Sequence, residues 1–177
     1  MKKILAISGS LREKSFNTGL TKALHALVSE GVTVEHAVIS SLPFFNQDIE
    51  SAFPEEATVL KNQIEAADAI VFATPEYNRS IPGVLKNAID WASRPWGKNS
   101  FAKKPVLIMG ASVGPIATAV AQQELKKIML YLDAKVVGQP ELYIGTAGDK
   151  FNEAGELTDE NTKEHIKKGL EVLVSLV

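Results

Sequence analysis

Cysteine is absent from the 177 residues. Its absence excludes disulfides, thiolate-bound zinc or iron–sulfur centres, and any thiol nucleophile or dithiol relay. An excess of either charge is also missing: 19 Lys and Arg stand against 21 Asp and Glu, a net charge of -2. That balance argues against a nucleic-acid binder, whose affinity comes from neutralising phosphates with clustered cations. Long apolar runs are lacking, and nothing nears the roughly 18 residues of a membrane span. The run Ile4–Ile7 is too brief for the core of a signal peptide, so a cytoplasmic setting is expected. Heptads, solenoid repeats and low-complexity tracts are missing as well. Histidine is scarce, and His25, His36 and His165 fall on separate predicted elements, outside the loops expected to meet a ligand. No metal site is expected from that spacing. Any redox chemistry here has to be carried by a bound cofactor.

What is present is an alternation. With 45% hydrophobic and 23% charged residues, the chain has the composition of an ordinary globular domain, and its length suits one domain over residues 1–177. Lys3–Ser8 is an apolar run of strand length closed by Gly9, the pattern of a strand covered on both faces. Asn17–Ser29 sets Leu20, Ala23, Leu24 and Leu27 on one helical face. Further strands are predicted at Thr33–Ile39, Ala69–Ala73, Pro105–Gly110 and Lys135–Tyr143. Helices are predicted at Pro54–Ala67, Gly83–Ser93, Ile116–Leu132 and Thr162–Val177. Leu42–Pro54 reads as an excursion and Gly145–Leu157 as a loop. Strands alternating with helices predict an α/β three-layer sandwich, a parallel sheet with helices on both faces. Five strands fit the flavodoxin-like order 2-1-3-4-5, in which ligands sit beyond the carboxyl ends of the strands. The loops to read are those after strands one, three and four.

The loop after strand one, Ser8–Asn17, is neither a dinucleotide fingerprint nor a nucleoside-triphosphate loop, because Gly9 is its one glycine. It offers hydroxyls at Ser8, Ser10 and Ser15, the amide of Asn17, the cation Arg12 and the N–H groups of a helix start. That donor set suits a terminal phosphate monoester. Helix capping by Ser and Asn explains the same residues equally well. The loop after strand three, Thr74–Gly83, is stiffened by Pro75 and Pro82. An exposed rigid loop at that place suits the edge and one face of a planar ring, although a Pro/Asn turn with a surface tyrosine is the plainer alternative.

Gly-Ser-Leu-Arg-x-x-Ser-x-Asn at Gly9–Asn17 and Pro-Glu-Tyr-Asn-x-Ser-x-Pro-Gly at Pro75–Gly83 together resemble the NADPH-dependent FMN reductase family, a flavodoxin-like group of quinone, chromate and azo-dye reductases. Leu85–Pro95 is similar to that family too. The resemblance implies non-covalent FMN, NADPH or NADH as electron donor, small-molecule electron acceptors, and a homodimer or homotetramer. It places the FMN phosphate at Ser10, Arg12, Ser15 and Asn17. The isoalloxazine falls to Pro75, Glu76, Tyr77 and Asn78, with Ser80 close by. After strand four the family's serine and first glycine correspond to Ser112 and Gly114, but its following glycine pair is replaced by Pro115–Ala119. No side chain is expected to act as an acid, base or nucleophile. Arg79, Arg94 and Lys98 are candidates to meet the extra phosphate of NADPH. The alternative is a flavodoxin-type electron carrier, for whose acidic docking surface a net charge of -2 is weak support.

Overall fold

A computed structural model describes residues 1–177. Strands β1 (Lys2–Ser8), β2 (Val32–His36), β3 (Ala69–Ala73), β4 (Pro105–Ala111), β5 (Lys135–Val136) and β6 (Leu142–Ile144) alternate with helices α1 (Phe16–Leu27), α2 (Glu55–Ala66), α3 (Gly83–Ala92), α4 (Ala119–Tyr131) and α5 (Glu160–Ser175). All strand pairings are parallel, in the order β2-β1-β3-β4-β5, with β6 also on β4. The flavodoxin-like order 2-1-3-4-5 is therefore observed.

The two-residue period of a strand sends successive side chains to opposite faces, and both faces are covered. Leu5, Ile7, Ile70, Phe72, Val106 and Ile108 face α2, α3 and α4 through Leu60, Ile64, Leu85, Ile89, Leu125 and Met129. Ile4, Ala6, Val71, Ala73, Leu107 and Met109 face α1 and α5 through Leu20, Leu24, Ile166, Leu170 and Leu173. Two cores thus flank one sheet, and β3 and β4 at its centre are buried along their whole length.

The structure differs from the sequence expectation at three places. The predicted fifth strand is two short ones: β5 pairs with β4 at Pro105 and Val106, and β6 at Met109–Ala111. Between them lies Gly138-Gln139-Pro140, and proline has no N–H with which to continue the ladder. Helix α4 starts at Ala119 rather than Ile116, because Ala117 holds a left-handed φ of 57°. The excursion 42–54 contains a 3-10 helix at Gln47–Ala52. Its Phe45 and Phe53 stand edge-on to the buried Trp91, 5.0 and 5.1 Å between centroids, while the Trp91 indole donates to the Pro43 carbonyl at 2.8 Å. Phe45 and Phe53 thus fold over the chain's own core, and of the segment's three phenylalanines only Phe44 turns outward.

Candidate functional site

The carboxyl ends of β1, β3 and β4 converge on a cavity of 180 Å³ lined by Ser10, Arg12, Ser15, Phe16, Asn17, Pro75, Glu76, Tyr77, Ala111, Ser112 and Val113. Eight of the eleven residues expected at a cofactor site are among these. Asn78, Ser80 and Gly114 do not line it, and Phe16, Ala111 and Val113 do. Larger hollows lie elsewhere, 610 Å³ between α1 and α5 and 710 Å³ between α3 and α4. The first is lined by four lysines and three glutamates on α1, α5 and their loops, the second by α3 and α4, and neither lies where β1, β3 and β4 end together, so size does not locate the site.

The first wall is the β1–α1 loop. Gly9 lets it pass close beneath the loop after β3, since a Cβ there would stand 3.0 Å from the Leu85 side chain and 3.3 Å from Pro75. Ser15 is the N-cap of α1, its Oγ accepting from the Asn17 N–H at 3.2 Å. The Ser10 hydroxyl accepts from the Arg12 N–H at 3.3 Å. Phe16 and Thr18, in the first turn of α1, keep N–H groups without an acceptor in the chain. Those donors and the helix dipole favour an anion. Arg12 is the one cation lining the cavity, its guanidinium 5.5 Å from the centre of the Phe16 ring.

Asn17 lines the cavity and also has a structural task. Its side-chain amide donates to the Ala111 carbonyl at 3.0 Å while its carbonyl accepts from the Ala111 N–H at 2.9 Å. This buried reciprocal pair fastens the start of α1 to the end of β4. The 145–157 loop backs the same helix: Phe151 packs on Phe16 at 4.9 Å, and a Cβ on Gly19 would meet the Gly155 carbonyl at 2.3 Å.

The second wall is the loop after β3. Tyr77 and Ser80 exchange backbone hydrogen bonds of 3.0 Å around Asn78 and Arg79, whose φ angles are 52° and 64°. Two consecutive positive φ values make a type I′ turn, which asparagine tolerates and arginine adopts only when held. What holds it is Glu76. One carboxylate oxygen accepts from the Ala121 N–H at 3.0 Å and the other lies 3.2 Å from the Arg79 guanidinium. Thr118, the residue before α4, makes no side-chain cap of its own. Glu76 therefore caps α4 from another loop, and the Ser80 hydroxyl donates to Glu124 one turn further along. The Tyr77 N–H is taken by Ser80, which leaves the Glu76 and Asn78 N–H groups without an acceptor in the chain.

The third wall is tightly built. A Cβ on Gly110 would lie 2.1 Å from the Thr118 hydroxyl and 2.3 Å from the Thr74 carbonyl. The Ser112 hydroxyl accepts from the Gly114 N–H at 3.3 Å. Of the cations expected for NADPH, Arg79 is paired with Glu76, Arg94 stacks over Phe45 at 5.3 Å, and none of the three lines the cavity.

An open parallel sheet with an anion cradle at its switch point and a rigid turn beside it defines a flavodoxin-like α/β protein. The chain belongs to the NADPH-dependent FMN reductase family, whose model matches residues 2–149. It is 45% identical over 165 residues to a 2-hydroxy-1,4-benzoquinone reductase of a Burkholderia species, covering 93% of this chain and 90% of that one. It is 44% identical to an NAD(P)H-dependent FMN reductase of Pseudomonas aeruginosa, over 97% of this chain and 92% of the other. The solved structure of FerB, a flavoenzyme NAD(P)H:(acceptor) oxidoreductase from Paracoccus denitrificans, superposes with a TM-score of 0.91 at 38% identity, covering 99% of this chain and 97% of that one. The chain is thus an oxidoreductase of a flavin-dependent family, and the class expected from its two loop motifs is the one observed.

Proposed function

We propose that this protein is an NAD(P)H oxidoreductase that uses FMN held by the three loops to reduce quinone-type acceptors. The observation that carries the reading is the single anion cradle, with Arg12, Ser10, Ser15 and the free N–H groups of α1, opening onto the rigid turn 75–80. These residues fit FMN. The cavity is smaller than the roughly 300–1,000 Å³ of a pocket that encloses a drug-sized ligand. It suits a phosphate and its adjoining polyol, leaving a flat ring on the open rim. Pro75 and Tyr77 offer that ring a wall, and the Glu76 and Asn78 N–H groups offer donors where negative charge develops.

FMN supplies hydride acceptance from NAD(P)H and electron delivery to the acceptor. The chain's own part is placement. The turn and α4 present one exposed face, which donor and acceptor must use in succession, giving ping-pong order. Free flavin, azo compounds and chromate are further acceptors that an open rim selects against only weakly. Such an enzyme works where NAD(P)H is kept, in the cytoplasm. No helix of the structure is long and apolar enough to cross a membrane.

The second half of the proposal concerns assembly. Trp96, Tyr131 and Leu130 are 78%, 75% and 65% exposed beside an apolar groove between α3 and α4. Lys86 and Asp90, paired with each other, and Lys127 line that groove, so the face carries both signs of charge, which is compatible with self-pairing about a two-fold axis. A second copy of this chain covers it in a homodimer or a larger homo-oligomer.

The test is a spectrum of the FMN-loaded protein before and after NADPH. Bleaching of the flavin band, restored by a quinone, is the expected result. A bound flavin that NADPH does not bleach selects the electron-carrier alternative. Failure to retain added FMN at all refutes the cofactor assignment.

A further inference from the structure

The sequence spreads its histidines over separate elements, and the fold brings two of them together. His25 stands in the last turn of α1 and His36 ends β2, the edge strand of the sheet. Their Nε2 atoms are 2.9 Å apart, with ring centres separated by 5.0 Å. Neither lines the cofactor cavity or belongs to the chemistry above.

A hydrogen bond accounts for the distance when one ring donates and the other accepts. The same spacing also fits a chelate. Two imidazoles bound to one metal at about 2.0–2.1 Å, with their bonds at a right angle, hold their nitrogens about 2.9 Å apart and their ring centres about 4.5 Å apart, so metal binding keeps the nitrogen spacing and draws the ring centres in from 5.0 Å by side-chain rotation. We propose that His25 and His36 form a two-histidine chelate for a divalent transition cation, copper(II) ahead of nickel(II) and zinc(II).

The preference follows from the ligands. Neutral imidazole suits these metals, right-angled nitrogen pairs suit tetragonal copper(II) or nickel(II), and copper(II) stands at the top of the general affinity order. The backbones that carry the rings are fixed, since α1 packs through Leu20, Leu24 and Leu27 on the sheet that contains β2. His25 is exposed and His36 half-buried, so the pair is open to solvent on the His25 side. No third histidine or carboxylate joins them, so the metal is held by two protein nitrogens only. Lys22 lies one turn before His25 on α1 and acts electrostatically on His36, which opposes a cation there. Binding is therefore expected to be selective for copper(II) and weaker than in a site closed by four protein ligands. A bound ion adds a tie between the edge strand of the sheet and its neighbouring helix α1.

Copper(II) chloride titrated into the purified, FMN-loaded protein tests this, read by electron paramagnetic resonance and by thermal unfolding. The expected result is one copper per chain with a nitrogen-ligand signature, and a rise in melting temperature with copper concentration. His25→Asn and His36→Asn should each weaken binding by about tenfold or more. His165→Asn should change nothing, and Lys22→Gln should tighten the site. Metal-free melting curves establish that each variant is folded before copper is added. A folded His25→Asn or His36→Asn protein that keeps the wild-type copper affinity overturns the proposal. So does a loss of binding confined to His165→Asn.

Discussion

Arg12 bears the whole cationic side of the cradle, because no other lysine or arginine lines it. Its stacking on Phe16 at 5.5 Å aims the guanidinium while leaving its donors free. A hydrogen bond to a charged group is worth about 1.5–3 kcal/mol, so Arg12→Gln should raise the dissociation constant for FMN roughly 10- to 100-fold. Riboflavin, which lacks the phosphate, should bind the variant and the wild type equally. Fluorescence titration with both flavins reads the two values, and an equal loss for riboflavin would remove Arg12 from the phosphate. At this scale the sequence is legible in residue type but not in residue allegiance. Ser15, Asn17 and Arg12 look alike as phosphate donors along the chain. In the fold, the Asn17 amide pairs with the Ala111 backbone, 94 positions away. No local pattern announces which polar side chain will be claimed by a distant strand. Val113, which joins the lining, carries no polar signal at all.

Between elements the decisive contact is Glu76 with α4. The motif marked Glu76 as a ring neighbour, but its carboxylate serves as a helix cap and as a counter-charge to Arg79. Losing a cap costs about 1 kcal/mol. Glu76→Ala should therefore lower the melting temperature by several degrees, and Glu76→Gln, which keeps an oxygen acceptor, by less. Identical melting curves for the two variants and the wild type would deny the cap. A second link joins α4 to β6. Glu141 accepts from Lys126 at 2.8 Å and from the Tyr143 hydroxyl at 2.6 Å, and these two donors hold its carboxyl below the ordinary range. A depressed folded value means the contribution is full above the unfolded value near 4.5 and is lost as pH falls through the folded value. The site is partly exposed, so the effect is screened, below about 1 kcal/mol. Melting of Glu141→Gln against wild type should show a deficit at pH 7 that begins to shrink as the pH falls below about 4.5. A deficit unchanged with pH would mean that packing rather than charge is at stake. The ends of these same elements were the poorly legible part. The apolar period runs through Ile116, while the left-handed Ala117 stops the helix short of it. The segment Lys135–Tyr143 likewise contains a break, which Gly138 and Pro140 signal.

For the molecule as a whole, the topology was legible because burial on both faces leaves continuous apolar runs for strands, and helices between them can return only one way. Assembly is not written in periodicity, since a face that pairs with another copy and a face that meets water can share a helix. The proposed pairing face lies on α3 and α4. Trp91 is fully buried, whereas Trp96, five positions on, is 78% exposed beside Tyr131 and the 710 Å³ groove. Arg94 lies over both Phe45 and Trp96, at 5.3 and 5.9 Å, and so holds the indole out at the rim. An apolar face of this kind is ordinarily covered by a partner. Light scattering coupled to gel filtration should give a mass of at least two chains for the wild type. Tyr131→Asp combined with Trp96→Asp should shift it toward one chain, because two carboxylates would then be buried without partners in every interface. Neither residue lines the cofactor cavity, so the monomer should still retain FMN. A wild-type protein that runs as one chain would assign the groove to something other than a second copy. A double variant that stays associated would move the interface off α3 and α4.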